Sequence, residues 1–335
     1  MIHGNHSTLQ MPAWQNQLAQ AVRDPKQLLT ALDLPMRYLD SIEEAHQIFP
    51  LRVTKSYLNR MEKGNINDPL LRQILPARSE AEKVIGFSND PVGDKLAEAI
   101  PGLLHKYKNR VLLTLTGACG IHCRYCFRRH YDYANSNPIK HWPDNLTYIK
   151  NNTTIREVIF SGGDPLSLND QRLAKLVDEL SAIPHLKTLR IHTRQIIALP
   201  DRVNEALLEW TKHSRLKVVF VLHTNHPNEI DLDVKQALSR LTNIGATLLN
   251  QSVLLRGVND SAQVLTELSE KLFSANVIPY YLHMLDKVAG SAHFEVKQST
   301  AVELINTLRK ELPGYLVPRL VRDLPDTGHK STIEA

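Results

Sequence analysis

Cysteine is scarce in this chain of 335 residues, and its placement is uneven. The sequence has three cysteines, and all of them lie within the eight positions from Cys119 to Cys126. Three cysteines cannot build a disulfide framework across a chain of this length. We therefore expect this group to hold a ligand or to take part in chemistry.

Long hydrophobic runs are absent as well. The most apolar stretches, such as 218–222, are far shorter than the ~20 residues that cross a bilayer, and residues 1–10 lack the apolar segment of a signal peptide. With 42% hydrophobic and 22% charged residues, the composition is typical of globular proteins. We expect a cytoplasmic protein with no membrane partner.

No strong charge of one sign is present. The 40 Lys and Arg residues exceed the 35 Asp and Glu residues by enough to give a net charge of +5, without a long basic run. This mild excess suits an anionic small molecule as well as a nucleic acid. Because aromatic and basic residues are not interleaved as on a nucleic-acid surface, a nucleic-acid partner is not expected.

The first 105 residues are predicted to form an N-terminal helical cap region. Short segments with apolar residues at helical spacing are separated there by Pro, Gly or Asn. The predicted segments are 25–32, 38–49, 54–62 and 68–75.

The pattern changes from residue 106 onward, where β-branched runs alternate with amphipathic segments such as 169–183. Six such units in series predict a parallel α/β fold, a partial (β/α)6 barrel of the TIM type over 106–324, with functional loops at the carboxyl ends of the strands. The tail, 325–335, is expected to close one face of the barrel. The predicted strands are 111–116, 157–161, 188–193, 216–223, 247–255 and 277–284.

The three cysteines form the motif C-x₃-C-x₂-C directly after the first predicted barrel strand. Three thiolates can bind three irons of a [4Fe–4S] cluster, which leaves the fourth iron open to a small molecule. The alternative is a structural zinc site with His122 or His130 as the fourth ligand. Structural zinc sites usually combine two closely spaced pairs of cysteine or histidine ligands, and the sequence has no second pair of cysteines.

The motif and its position resemble those of the radical S-adenosylmethionine superfamily. The resemblance implies that Cys119, Cys123 and Cys126 hold the cluster and that S-adenosylmethionine binds its open iron. An aromatic residue commonly precedes the third cysteine and packs near the adenine. A Gly-Gly-Glu-like turn after the second strand contacts the methionyl amine. By this match the residues that bind S-adenosylmethionine are Tyr125, Ser161, Gly162, Gly163 and Asp164.

Further stretches between about 105 and 330 are similar to lysine 2,3-aminomutase and its relatives. The family combines the adenosyl radical with pyridoxal 5'-phosphate, so the resemblance implies a lysine that forms a Schiff base with the aldehyde. The matching residue is Lys330, although its loop lacks most of the family's glycines. Without the resemblance, Lys330 would be predicted to be a solvated tail lysine. The stretches include Leu189-Arg-Ile-His-Thr-Arg194, His223-Thr-Asn-His-Pro-Asn-Glu229 and Pro279-Tyr-Tyr-Leu282.

The same resemblance implies the residues that bind the substrate. Asp286 and Asp323 match the two carboxylates that hold the ε-ammonium of lysine, and Arg128 matches the arginine that binds the substrate carboxylate. Tyr107 and Arg194 are candidates for contacts to pyridoxal phosphate. Arg129 is expected to be a surface charge.

Taken together, the resemblance implies an isomerase that converts L-lysine to β-lysine. The short C-terminus favours the bacterial branch that supplies (R)-β-lysine for elongation factor P, with a functional link to an elongation factor P ligase. The expected electron donor is a flavodoxin or ferredoxin. Three alternatives stay open: an aminomutase for arginine or glutamate, a nucleic-acid-modifying radical enzyme without pyridoxal phosphate, and a metal-binding module without turnover.

Overall fold

A sheet of ten strands organises the chain, and neighbouring strands in the sheet are also neighbours in sequence. The structure is a computed structural model that describes residues 12–325 and 328–334. The strands are β1 (Glu98–Ile100), β2 (Leu103–Tyr107), β3 (Arg110–Thr116), β4 (Glu157–Gly162), β5 (Thr188–Thr193), β6 (Lys217–His223), β7 (Thr247–Val253), β8 (Ile278–His283), β9 (Arg319–Arg322) and β10 (Ser331–Thr332).

Thirteen α-helices lie in the described parts of the chain, and several begin at side-chain caps. Asp24 accepts a hydrogen bond from the Lys26 amide and precedes a proline in the first turn, while Asn169 and Asp231 cap two of the outer helices. The helices are α1 (Ala13–Ala19), α2 (Pro25–Ala31), α3 (Leu39–Ile48), α4 (Lys55–Leu58), α5 (Pro69–Arg72), α6 (Asp94–Ala97), α7 (Trp142–Asn151), α8 (Asp170–Ser181), α9 (Gln195–Ala198), α10 (Glu205–His213), α11 (Leu232–Asn243), α12 (Ala262–Ser274) and α13 (Gln298–Glu311).

Strands β3 to β9 are parallel, and helices connect them on the outside of the sheet. Antiparallel pairs extend both edges, with β1 and β2 before β3 and with β10 after β9. The sheet therefore runs from β1 to β10 without closing on itself. This confirms the predicted partial α/β barrel, and β3 to β8 are its six predicted strands.

The sequence did not predict the edge strands. Strand β1 and the first residues of β2 fall within the region expected to be helical, and β9 and β10 fall in the C-terminal part. Each has two to five residues, which is too short for an alternating pattern to stand out from a loop. Strand β1 only extends the edge of the sheet, whereas the pairing of β10 with β9 determines where the C-terminal tail lies.

The apolar core has two main parts. One lies between the sheet and its outer helices and contains residues such as Phe160, Leu173 and Leu189. The other is built by the N-terminal helices and includes Leu28 and Tyr57, with Cys119 and Cys123 packed against its edge. Each fully buried leucine of this second part contributes about 2 kcal/mol of hydrophobic stabilisation. The N-terminal helices therefore cover the cysteine loop.

None of the helices in the ranges 12–325 and 328–334 combines the length and the apolar character that a membrane span needs.

Candidate active site

The carboxyl ends of the parallel strands open into a cavity of about 440 Å³. All fourteen residues that the sequence proposed for the site line this one cavity, although they span positions 107 to 330. They reach it from the cysteine loop, the turn after β4, the ends of β2 and β5, and the segments after β8 and β9. Parallel strands present their carboxyl ends on the same side of the sheet, which is why distant sequence positions converge here.

The cysteine loop follows β3 and is held by backbone contacts to the N-terminal region. The amide of His122 donates to the Arg52 carbonyl at 2.9 Å, and the amide of Arg124 donates to the Gln73 carbonyl at 2.9 Å. The Gly120 amide donates to Oε1 of Gln195 at 3.1 Å. The loop is therefore fixed by hydrogen bonds on either side of Cys123.

Burial raises the pKa of the Cys119 thiol well above its usual value and that of Cys126 to about 11. Metal binding requires thiolates, so an iron charge must offset this burial before the loop can hold a cluster. In the described residues, no three His, Cys, Asp or Glu side chains converge on a point for a single metal ion. A cubane cluster makes a different demand, since each thiolate binds a separate iron.

The two histidines of the zinc alternative each have a ring nitrogen hydrogen-bonded to a backbone carbonyl. Nδ1 of His122 lies 2.8 Å from the Pro50 carbonyl, and its ring stacks on Phe49. Nε2 of His130 lies 3.3 Å from the Ala289 carbonyl. These contacts hold both rings within the protein framework.

The turn at the end of β4 lies against the cysteine loop because two glycines permit it. Gly162 has φ of +121°, and an added Cβ would lie 2.5 Å from the Thr116 carbonyl oxygen. An added Cβ on Gly163 would lie 2.6 Å from the Ala118 carbonyl oxygen. The amides of Gly163 and Asp164 donate to those same two carbonyls at 2.7 and 2.8 Å. The glycines predicted to approach the cofactor are thus also required for the loop packing.

Asp164 is buried at this turn, and its carboxylate accepts hydrogen bonds from the backbone amides of Leu166, Arg194 and Gln195 and from the Thr193 hydroxyl. Burial raises its pKa to about 6, and these hydrogen bonds oppose the shift. With a pKa of about 6 the carboxylate is mostly ionised at neutral pH, and a ligand ammonium beside it would favour that form further. The site therefore suits an amine such as that of a methionyl group.

Tyr125 and Arg194 belong to one buried network beneath the cysteines. The Tyr125 ring stacks on His223 with centroids 5.6 Å apart, and its hydroxyl accepts hydrogen bonds from Arg194 and Asn225. Burial raises the pKa of Tyr125 well above 10 and lowers that of His223 to about 3. Both groups are therefore uncharged at neutral pH.

Arg194, which the sequence analysis proposed as a contact for pyridoxal phosphate, lies beside the cysteines in the cavity. Its Nη1 donates to Sγ of Cys123 at 2.7 Å, and its Nη2 pairs with Glu229 at 2.8 Å. Burial and hydrogen bonding fix this guanidinium within the network around Tyr125. Its position favours a role next to the cysteines.

Lys330 reaches the same cavity because β10 pairs with β9. Its Nζ lies 2.9 Å from Oδ2 of Asp323, and Nζ of Lys106 lies 3.0 Å from Oδ1 of the same carboxylate. Residues 326 and 327 of the preceding loop lie outside the described residues. The tail that the sequence would otherwise leave in solvent is thus anchored by a strand pair and an ion pair.

Asp286 is half-buried near this pair of lysines. Burial raises its pKa to about 7, and the charge of Lys330 counteracts the shift while that of Asp323 adds to it. The two lysines instead hold the pKa of Asp323 below its usual value, against the effect of burial. The two predicted substrate carboxylates therefore differ in ionisation at neutral pH.

Arg128 follows the cysteine loop and links it to the end of β4 and to helix α6. Its Nε donates to Oδ2 of Asp94 at 2.7 Å, and its Nη1 donates to Oγ of Ser161 at 3.0 Å. The remaining guanidinium nitrogen leaves a donor available for a ligand carboxylate in the cavity. Tyr107, the other candidate for pyridoxal phosphate, lies under the Arg110 guanidinium, 4.0 Å from the ring centroid.

Sequence reasoning missed three features of the cavity and its walls. Lys106 was not singled out, although it directly precedes Tyr107. His192 and His283 line the cavity with buried Nε2 atoms that have no hydrogen-bond partner in the described residues. Both occupy inward positions on predicted strands, which was the available signal. Arg129 is the third: the expectation of a surface charge is wrong, because its side chain is buried against Glu80 at 2.8 Å.

Comparison with known proteins connects these features to a family. Residues 109–209 match the family model described as a 4Fe-4S single cluster domain. A relative named L-lysine 2,3-aminomutase from Escherichia coli (strain K12) is 47% identical over 98% of this chain and 97% of its own. Another of that name from Haemophilus influenzae is 46% identical, over 95% and 94%. A third, from Clostridium subterminale, is 34% identical over 96% of this chain and 77% of its own.

Among solved structures, Streptococcus suis SuiB shows a weak likeness, with a TM-score of 0.48 at 14% identity over 64% of this chain and 49% of its own. The sequence relatives carry the assignment. The cluster-domain match contains all three cysteines and confirms the predicted [4Fe–4S] cluster. With that identity over nearly its whole length, the chain belongs to the L-lysine 2,3-aminomutase family.

Proposed function

We propose that this protein converts L-lysine to β-lysine, using the [4Fe–4S] cluster, S-adenosylmethionine and pyridoxal 5'-phosphate. The observation that carries the proposal is the shared cavity: the three cysteines line one part of it, which we call the cluster end, and Lys330 with two aspartates lines another, which we call the lysine end. A radical formed at the first end would meet a substrate held at the second without passing through water.

At the cluster end, Cys119, Cys123 and Cys126 would ligate the cluster, and the turn from Ser161 to Asp164 would bind S-adenosylmethionine. When bound, the two groups supply an adenosyl radical. The protein contributes orientation and charge: Asp164 offers a buried carboxylate to the methionyl amine, and Tyr125 closes the wall of the cavity.

At the lysine end, Lys330 would carry pyridoxal phosphate, which supplies an imine that stabilises a radical on the neighbouring carbon. The lysine must lose its proton before its amine can react. Asp323 lies 2.9 Å from that amine and also pairs with Lys106. When Lys330 becomes neutral, the carboxylate therefore keeps one cationic partner. Tyr107 would contact the cofactor from the end of β2.

The charge pattern explains how substrate lysine would be selected. In the structure Asp323 is shared between two ammonium groups, and one of them disappears when Lys330 reacts. Oδ2 of Asp323, the atom that Lys330 contacts, would then be open to the ε-ammonium of the substrate, while Oδ1 keeps Lys106 and Asp286 lies nearby. Arg128 would bind the α-carboxylate. An acidic pair at this end disfavours glutamate as a substrate.

We further propose that the product serves modification of elongation factor P through its ligase, and that a flavodoxin or ferredoxin reduces the cluster in the cytoplasm. The support is the family resemblance alone, with identities of 47% and 46% to the Escherichia coli and Haemophilus influenzae relatives.

The test is an anaerobic assay of protein reconstituted with iron and sulfide. It contains S-adenosylmethionine, pyridoxal phosphate and dithionite, with L-lysine, L-arginine or L-glutamate in parallel reactions. We expect β-lysine from lysine, resolved by chiral chromatography, and no product from glutamate. Formation of β-arginine at a higher kcat/KM than β-lysine would assign a different substrate.

A further inference from the structure

Every cysteine of the motif has an arginine as an electrostatic neighbour. The arginines come from the N-terminal region, the cysteine loop and the end of β5, so several separate segments bring positive charge to one place. We name these five residues the arginine collar: Arg52, whose carbonyl accepts the amide of His122 in the cysteine loop at 2.9 Å; Arg124, which follows Cys123; Arg194, which contacts Sγ of Cys123 at 2.7 Å; and Arg128 and Arg129, which follow Cys126, the Arg129 amide donating to the Cys126 carbonyl at 3.2 Å.

Arg194 makes the most direct contact of the collar. Its Nη1 donates to Sγ of Cys123 at 2.7 Å, while its Nη2 is held by Gln73, Tyr57 and Glu229 at 2.7 to 2.9 Å. The guanidinium is buried and fixed on its far side. It therefore stands against the sulfur in one orientation.

Arg124 and Arg129 share a single carboxylate. Arg124 donates to Glu80 through Nε at 2.8 Å and Nη2 at 2.6 Å, and Nη2 of Arg129 lies 2.8 Å from the same group. Both guanidinium carbons lie over the Phe49 ring, 4.9 and 4.7 Å from its centroid. The side chains of Arg124, Arg129 and Glu80 are all buried. Because two guanidiniums share one carboxylate, the group has a net positive charge of one.

Arg52 has no carboxylate partner in the part of the chain that the structure describes. Its Nη2 donates to the Leu18 carbonyl at 3.2 Å, and its buried Nε has no hydrogen-bond partner there. Its carbonyl accepts the amide of His122, inside the cysteine loop, at 2.9 Å. Arg52 therefore belongs to the wall of the cysteine loop and brings a positive charge without a carboxylate to offset it.

The collar as a whole carries more positive than negative charge. Among the described residues, five guanidiniums face four buried carboxylates, an excess of one. Asp164 is one of the four and is the carboxylate proposed above for the methionyl amine. The others are Glu80, Asp94 and Glu229.

We propose that the unbalanced charge of the arginine collar raises the reduction potential of the cluster, and that Arg52 and Arg129 supply this charge. A thiolate-ligated cluster is anionic, and the electron added on reduction makes it more so. Nearby cations therefore stabilise the reduced state more than the oxidised state, and burial limits screening by salt. The inference rests on the proposed role of the three cysteines as cluster ligands.

The test compares the variants Arg52→Gln and Arg129→Gln with wild type in a redox titration of the cluster, followed by electron paramagnetic resonance. Neither variant leaves a carboxylate unpaired, because Glu80 keeps both hydrogen bonds from Arg124. We expect a more negative midpoint potential in each variant and a larger shift in the double variant. Arg52→Lys and Arg129→Lys retain the charge and are expected to restore most of the wild-type potential.

Arg215→Gln is the matched control, because Arg215 donates to three backbone carbonyls near the start of β6, at the opposite ends of the strands. It is expected to leave the potential unchanged. Wild-type potentials in both glutamine variants at full iron content would overturn the proposal, as would equal shifts in the lysine variants. If Arg129→Gln does not load iron, the half-buried Arg52 decides the question alone. A wild-type enzyme with the expected shifts but no β-lysine product would contradict only the proposed function.

Discussion

The two ends of the cavity are built differently. At the cluster end, cations and carboxylates are buried in a network fixed by several hydrogen bonds each, as around Arg194 and Glu80. At the lysine end, one carboxylate, Asp323, is shared by two ammonium groups, and Asp286 has a pKa near neutrality. The first arrangement holds a resident group in one geometry. The second can exchange one amine for another, as transfer from an enzyme lysine to a substrate lysine requires.

The largest expected effect is the loss of the cluster alone. Cys126→Ser removes one of three thiolate ligands, and we expect iron content and the cluster absorbance to be lost and activity to fall by at least ~10³-fold. Because the ends are built separately, pyridoxal phosphate should still bind at Lys330. The visible absorbance of that cofactor provides the measurement. If the folded variant lost both the cluster and pyridoxal phosphate, the conclusion that the two ends of the cavity are built separately would be wrong.

Lys330→Ala is the reciprocal change. We expect it to remove the visible absorbance of bound pyridoxal phosphate and to lower activity by ~10³-fold or more, while the iron content stays at the wild-type level. Lys310→Ala, on the exposed end of α13, serves as the control and should change neither. Full activity of Lys330→Ala without an added amine would contradict the assignment.

Asp323→Asn should have a smaller effect, confined to substrate and Lys330. It removes the negative charge that Lys330 and Lys106 share, so we expect KM for lysine to rise by about 10- to 100-fold, which corresponds to about 1.4 to 2.8 kcal/mol. Cluster content should not change. An unchanged KM with normal cofactor loading would remove Asp323 from the substrate site.

The smallest effect concerns pH. The pKa of Asp286 is raised to about 7, so its carboxylate is lost progressively as the pH falls below 7. Since the ε-ammonium of lysine needs that negative charge, kcat/KM for lysine should decrease on acidification from pH 8 to 6. In Asp286→Asn this decrease should vanish and the acidic-side value should apply throughout. The same pH profile in the variant and the wild type would assign the titration to another group.

The comparison also shows what the sequence could predict. At the cluster end, the cysteine spacing and the six strands follow from local patterns, whereas the glycine turn was assigned through the family resemblance, and all three are present in the structure. Arg129, by contrast, was misjudged because its partner, Glu80, is 49 positions away and lies in the N-terminal region. No local pattern reports a pairing across that distance.

The lysine end was predicted only through the family resemblance. Lys330 lies five positions from the end of the chain, in a segment with no periodicity, and a two-residue strand brings it to the cavity. Such a short pairing depends on β9 being in place first. The shared use of Asp323 by Lys106 could not be inferred either, because the two residues are 217 positions apart.

The central claim is that a radical generated at one end of the cavity acts on a lysine held at the other. The most direct measurement uses L-lysine deuterated at its β-carbon in the anaerobic reaction, with mass spectrometry of the 5'-deoxyadenosine formed. The structure predicts that deuterium from lysine appears in 5'-deoxyadenosine and that β-lysine accumulates. Unlabelled 5'-deoxyadenosine alongside labelled β-lysine would contradict the claim.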